Sequence, residues 1–170
     1  MTEEFQLNEA RYGHCAALVE DNIVIIGGHS DKIVESVEII NIANRTVELA
    51  ADLVTPSPRW GLSCTAQGGK VMVMGGMDPY FLPHNNLDIL HLQTRTWTRG
   101  PALPWPQSGA SLSVMGEGPT LFSGMGLLEF SREVATLLPS GEWRGWTSRL
   151  DRARVSSIGV AVPSDMFQAC

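Results

Sequence analysis

Two adjacent glycines close an apolar run at Gly27-Gly28 and return 48 residues later as Gly75-Gly76. They do not return alone. Arg11-Tyr12-Gly13 recurs at the same shift as Arg59-Trp60-Gly61, and a further 48 residues on as Gln107-Ser108-Gly109. Another 47 residues reach Arg154-Val155-Ser156. A third glycine site, Gly124-Met125-Gly126, follows Gly75 by 49 residues and has lost one glycine of the pair. Later in each unit, "VEIINIANRTV" at 37–47 matches "LDILHLQTRTW" at 87–97, and more loosely "EVATLLPSGEW" at 133–143, so that Trp97 and Trp143 end two of the copies. Columns of different kinds that advance together at one spacing mark a structural repeat, because chance turns do not keep such an order.

Within a unit the apolar residues alternate as in strands. "HCAALV" (14–19) and "NIVIIGG" (22–28) are joined by the turn residues Glu20-Asp21, and "VESVEIINI" (34–42) and "TVELA" (46–50) follow. Four short strands per unit of this length are the pattern of a β-propeller blade. Continuous apolar stretches such as "VMVMGG" (71–76) suit sheets covered on both faces. No long amphipathic helix is expected.

These residues resemble the kelch repeats. Arg11-Tyr12-Gly13-His14, Gly27-Gly28, Val37-Glu38 and the terminal Trp97 or Trp143 stand where that motif places them. The resemblance runs over about residues 11–162. Departures are Val47 at a tryptophan position, and Gln107 at the arginine of unit three. The resemblance implies an all-β, partial kelch-type β-propeller of four-stranded antiparallel blades. Its layout is a connector at 1–10, three repeats at about 11–58, 59–106 and 107–153, and at 154–170 the first strand of a fourth repeat with a tail. Its structural columns are Arg11, Gly13, Gly27, Gly28, Arg59, Gly61, Gly75, Gly76, Trp97, Gly109, Gly124 and Trp143. Three units do not close a ring, so the rest of a propeller or a second copy is expected to cover the open blade faces.

The resemblance also implies a protein-interaction module with the role of an adaptor, rather than an enzyme. The alternative is a carbohydrate-handling propeller, lectin-like or sugar-isomerising, with the galactose-oxidase-like fold but not its copper site. Nucleic acid is excluded as a partner by the net charge of −6 and the lack of a basic cluster. No apolar run approaches the ~20 residues that span a bilayer. No catalytic residue, cofactor or metal ligand is assigned. His14 aligns with Leu62 and Ala110, so its column is no ligand column, and His91 reads as part of a polar strand face. His84 has only Asp78 nearby, too few donors for a metal site.

Strand alternation sorts the loops onto two faces. Those after the glycine pairs share a face with the connectors between units, and this face carries the aromatic and long loops. The partner-binding candidates are His29, Asp31, Tyr80, Phe81, His84, Asn85, Trp105, Arg144 and Trp146. Leu82 and Trp105 fit packing between blades equally well.

The three cysteines make no disulfide framework. Cys15 aligns with Ser63, which puts Cys64 one step out of phase and on the other side of its sheet, so a Cys15–Cys64 bond is not expected. The acidic start at 1–10 is no secretory leader, and the expected compartment is the cytoplasm, or the exterior if an N-terminal part is missing. Asn44-Arg45-Thr46 fits a glycosylation sequon, yet turn chemistry accounts for the same residues.

Overall fold

The structure is a computed structural model that describes residues 5–145 and 149–156. Among these residues there is no helix, and the strands form three four-stranded antiparallel sheets in which sequence neighbours pair. The first blade comprises β1 (Cys15–Val19), β2 (Asn22–Ile26), β3 (Val37–Asn41) and β4 (Thr46–Ala50). The second comprises β5 (Ser63–Gln67), β6 (Lys70–Met74), β7 (Leu87–His91) and β8 (Thr96–Arg99). The third comprises β9 (Ser111–Met115), β10 (Gly118–Phe122), β11 (Val134–Leu137) and β12 (Trp143–Gly145). β5 neighbours both β1 and β9, so the first strand of each blade lines the common axis. The segment 34–36 lies outside β3. The fourth-unit strand expected over 154–162 falls largely outside the described residues.

Apolar strands make these blades because each sheet is covered by its neighbour, the second blade on both faces. Cys15, Ala17, Val19, Val24 and Ile26 of the first blade pack against Cys64, Ala66, Val71 and Val73 of the second. The opposite face of the second, with Met72, Met74 and Leu87, packs against Ala110, Leu112 and Leu121 of the third. Each fully buried aliphatic side chain stabilises the stack by roughly 1.5–3 kcal/mol.

This stacking overturns the expectation for the cysteines. Cys15 and Cys64 form a disulfide, with a Cα–Cα distance of 5.7 Å. They do lie on opposite faces of equivalent strands. In a propeller, however, the leading face of one blade meets the trailing face of the next. Residues of opposite phase in adjacent blades therefore confront each other.

The glycine pair is the joint between blades. Gly27 and Gly28 have φ of 64° and 104°, which a side chain rarely tolerates. A Cβ on Gly28 would stand 2.9 Å from the Tyr12 carbonyl oxygen. The Gly28 amide donates to the Arg59 carbonyl of the next blade (3.0 Å), the Gly76 amide to that of Gln107 (2.8 Å), and the Gly124 amide to that of Arg154 (3.0 Å). Gly124 is therefore the second glycine of the third pair, 48 residues after Gly76, and the lost one is Ser123. That serine holds φ of 62°, and its hydroxyl lies 2.6 Å from the Arg154 carbonyl oxygen and accepts from the Arg154 amide at 2.7 Å. A second chain of amides runs round the axis: Gly61 donates to Gly13 (2.7 Å), Gly109 to Gly61 (2.8 Å), and Ser156 to Gly109 (2.7 Å).

The arginine column is buried ion pairing. Arg11 donates to the Gly27 and Ser36 carbonyls at 3.1 and 3.0 Å and pairs with Glu38 at 2.7 Å. Burial pushes the Glu38 carboxyl up, but the amides of Asn8 and Glu9, the Asn8 side chain and the Arg11 charge outweigh it and hold it below the usual carboxylate range. Arg59 pairs with Asp88 at 2.5 Å. Burial pulls its guanidinium down to about 10 against the opposing pull of Asp88, so it is still charged at neutral pH.

In the third blade the pairing of Phe122 with Val134 matches that of Ile26 with Val37 and Met74 with Leu87. Val134, not Glu133, thus heads β11, and Ala135 stands where Glu38 and Asp88 stand. Arginine and acid have disappeared there together, replaced by buried Gln107 and Ala135.

Candidate partner-binding face

Each blade repeats one small device on the loop face. The residue between Arg and Gly forms a two-hydrogen-bond bridge with the residue after the glycine pair: Tyr12 with His29 (2.9 and 2.8 Å), Trp60 with Met77 (3.1 and 2.7 Å), and Ser108 with Met125 (2.9 and 2.8 Å). The backbone is spent in the bridge, and the side chains are left pointing past it. In the first two blades those side chains are mostly rings. Tyr12 lies 5.4 Å from His29 and 6.3 Å from Trp60, and His29 lies 6.2 Å from Trp60, centroid to centroid.

The loop after the second glycine pair adds Phe81, whose ring makes a T-shaped contact with Trp60 at 5.7 Å. Asp78 builds this loop by accepting the amides of Tyr80 (2.8 Å) and Leu82 (3.0 Å). Those amides, Leu82 first, hold the Asp78 carboxyl below the usual range against a small burial penalty. The tight turn sets Phe81 at φ of 62°, an unusual conformation for a bulky residue. Phe81 is 68% exposed and Tyr80 81%. In the third blade the corresponding loop exposes Leu127, Leu128 and Phe130, with Leu128 at 95%.

Of the residues singled out from sequence, His29 and Phe81 both stand against Trp60, while Tyr80 and Asp31 are exposed on their loops. His84 is half-buried, with its Nε2 3.4 Å from Asp78, and its backbone is spent on Gly76 and Gln107. Asn85 likewise serves the connector, accepting the Leu103 amide at 2.8 Å. Trp105 is partly buried and donates to Gln107 Oε1 at 3.2 Å, while Leu82 is exposed rather than wedged between blades.

Arg144 does not belong here. It lies on the outer edge strand β12 and pairs with Glu117, in the β9–β10 turn at the opposite end of the blade, at 2.5 Å. Trp146 lies outside the described residues. Tyr12, Trp60, Leu127, Leu128 and Phe130 were missed by sequence reasoning. The signal that could have found the first two is their shared place between the fixed Arg and Gly columns.

At the axis, Gly13, His14, Gly61, Leu62, Gly109 and Ser156 border an open cleft of about 410 Å³. Its walls are largely backbone and small side chains, with no carboxylate, lysine or arginine converging on it, and burial and the Arg11 charge push the His14 imidazole towards its neutral form. Among the described residues no three His, Cys, Asp or Glu side chains gather as a metal site would need.

The kelch motif profile matches residues 10–53 and 58–104. Human host cell factor 1 is 30% identical over 126 residues, 68% of this chain but 6% of that protein. An F-box/kelch-repeat protein of Arabidopsis thaliana is 30% identical over 94 residues, 54% of this chain and 24% of that one. The chain thus spans a small part of the length of the relatives it matches. The solved structure of YjhT superposes with a TM-score of 0.73 at 15% identity, over 84% of this chain and 54% of that one, which speaks to the fold alone.

Proposed function

The chain belongs to the kelch-repeat family, and on that premise we propose that it is a protein-interaction module whose loop face docks a partner protein. The observation that carries this reading is the distribution of exposed apolar side chains. Most of the large ones, including Tyr12, Tyr80, Phe81, Leu82, Leu127, Leu128 and Phe130, lie on this one face. Scattered apolar residues on a surface need no explanation, but a concentration on one side marks an interaction site. Aromatic anchors of this kind supply most of the energy of protein interfaces, and each is worth roughly 1.5–3 kcal/mol if buried. The kelch family consists mostly of interaction modules, which favours the same reading over a chemical one.

The test compares two paired variants. Tyr80→Ser with Leu128→Ser changes the loop face, and Ile42→Ser with Met115→Ser changes the opposite one. Proteins captured by the unaltered chain and identified by mass spectrometry should be lost with the first pair and kept with the second. Equal capture by both would refute the assignment. Retention of specific glycans on an array, with no protein captured, would move the function to carbohydrate recognition.

A further inference from the structure

We infer that the four-ring patch of Tyr12, His29, Trp60 and Phe81 receives a cationic side chain, arginine above all, from a basic segment of the partner. This rests on the loop face being a protein-docking surface, and it names the chemistry that one part of it takes.

Three of the four ring contacts are edge-to-face, and Tyr12 and His29 are tilted at 41°. The interplanar angles are 68° for Tyr12 and Trp60, 73° for His29 and Trp60, and 86° for Trp60 and Phe81. Each edge-to-face contact takes up one ring's edge and one face of its neighbour, so the remaining faces of these rings are left to a partner. A free aromatic face is negative and attracts a cation, and a planar guanidinium stacks on it better than a compact ammonium does.

The polar groups around the patch have the same preference. His29 Nδ1 lies 2.6 Å from the Ser30 carbonyl oxygen, which can only accept, so Nδ1 carries the proton. In the neutral ring Nε2 is then an acceptor, and no described residue bonds to it. The loops that carry His29 and Phe81 hold three carboxylates, Asp31, Glu35 and Asp78, against one lysine, Lys32. The hydrogen bond from the Ser30 hydroxyl, first among its causes, keeps the Asp31 carboxyl below the usual range. Asp78 is likewise ionised. The arginines nearest in sequence, Arg11 and Arg59, are buried in their own ion pairs and add no exposed positive charge. An acidic or phosphorylated segment would find no free cation at the rings except Lys32, whereas an arginine would find ring faces, an acceptor nitrogen and carboxylates. The chain's net charge of −6 draws the same class of partner.

The experiment titrates the whole chain with a labelled, end-blocked Gly-Arg-Gly-Gly-Arg-Gly peptide. Two relatives of the peptide serve as comparison, one with citrulline for arginine and one with glutamate. Citrulline keeps the shape and removes the charge. Binding should fall about tenfold with citrulline, the equivalent of 1.4 kcal/mol, and vanish with glutamate. Tyr12→Ser and Phe81→Gly should each weaken the arginine peptide several-fold. Phe81→Gly suits this purpose because glycine accepts φ of 62° without strain and the fold should survive, which the unfolding midpoint verifies. Equal affinity for the arginine and citrulline peptides would overturn the inference, as would full binding by a folded Phe81→Gly protein. If no peptide binds while Tyr80→Ser with Leu128→Ser still abolishes protein capture, the cation site falls and the docking face stands.

Discussion

The second blade carries an ion pair that the third has dispensed with, and a thermodynamic cycle can read the difference. The perturbations are Arg59→Gln, Asp88→Ala and both together, which rebuild in the second blade the Gln107 and Ala135 found in the third. Both side chains of the pair are 2% exposed. Asp88→Ala leaves a buried guanidinium whose Nη1 already has no partner among the described residues and whose Nε keeps only the Ser57 carbonyl at 3.0 Å. Stranding a buried charge costs about 3–5 kcal/mol, and with so little remaining support this variant should lose about 4 kcal/mol. Arg59→Gln strands the carboxylate instead. There Arg99, half-exposed with its Nε 3.1 Å from the other Asp88 oxygen, can still answer the charge, so the loss should be nearer 3 kcal/mol.

The double variant strands no buried charge, although a glutamine there leaves a buried amide nitrogen short of a partner, as Gln107 Nε2 is. Its costs are the lost bonds and a small void, and it should be no less stable than Asp88→Ala alone, a coupling of about 3 kcal/mol. Urea unfolding followed by tryptophan fluorescence gives all four corners of the cycle. Additive losses of about 7 kcal/mol in the double variant would refute this account of the third blade, because they would mean that each side chain contributes independently of its partner.

Two other devices are open to measurement. The Cys15–Cys64 link joins residues 49 apart in the chain, for which loop-closure entropy gives about 4 kcal/mol of stabilisation. Reduction, or Cys15→Ser with Cys64→Ser, should lower the urea midpoint accordingly, and a midpoint indifferent to reductant would show that the link does not stabilise the fold. Glu38 titrates below the usual carboxylate range in the folded chain, so its contribution is complete above the ordinary glutamate value and is lost as pH falls through the lower folded one. Midpoints measured from pH 7 down to pH 3 should therefore decline more steeply in the unaltered chain than in Glu38→Gln. Parallel declines would mean that Glu38 is not the group responsible.

The blades were legible in the sequence because their joints repeat. Gly28 and Gly76 donate to equivalent carbonyls, and Trp97 and Trp143 pair with equivalent residues of β7 and β11. Three other features were not legible, each for a physical reason. The disulfide was misjudged because face parity within one sheet was extended to two sheets that meet front to back. The start of the third blade was read one residue out of register, with Glu133 in the Val37 column, because an ungapped match ending at Trp143 hides a shorter turn. Glu133 in fact stays in the loop, its amide donating to the Ser131 hydroxyl at 3.0 Å, and the turn after β11 is one residue shorter. Arg144 resembled a loop residue because Gly145 follows it, but its strand pairing with Thr136 places it on the blade's outer edge.

The binding candidates were harder to see for a reason that follows from the repeat itself. A column repeats when its side chain or backbone is consumed in holding blades together, as with Arg11 and Arg59 in their ion pairs or Gly13, Gly61 and Gly109 in the axial chain of amides. Such residues have nothing left for a partner. The column between them, Tyr12, Trp60, Ser108 and Val155, keeps its backbone role through the bridge to His29, Met77 and Met125 in the first three units but leaves its side chain free to vary. Strength of repetition thus identifies the architecture and runs opposite to availability for binding. In this chain the free column is aromatic in blades one and two and small in blade three. That sets the ring patch over the first blade boundary, while the third blade offers the aliphatic loop of Leu127 and Leu128 instead. A partner that engages the whole face must therefore meet rings and carboxylates at one end and plain apolar surface at the other, an asymmetry that would fix its orientation.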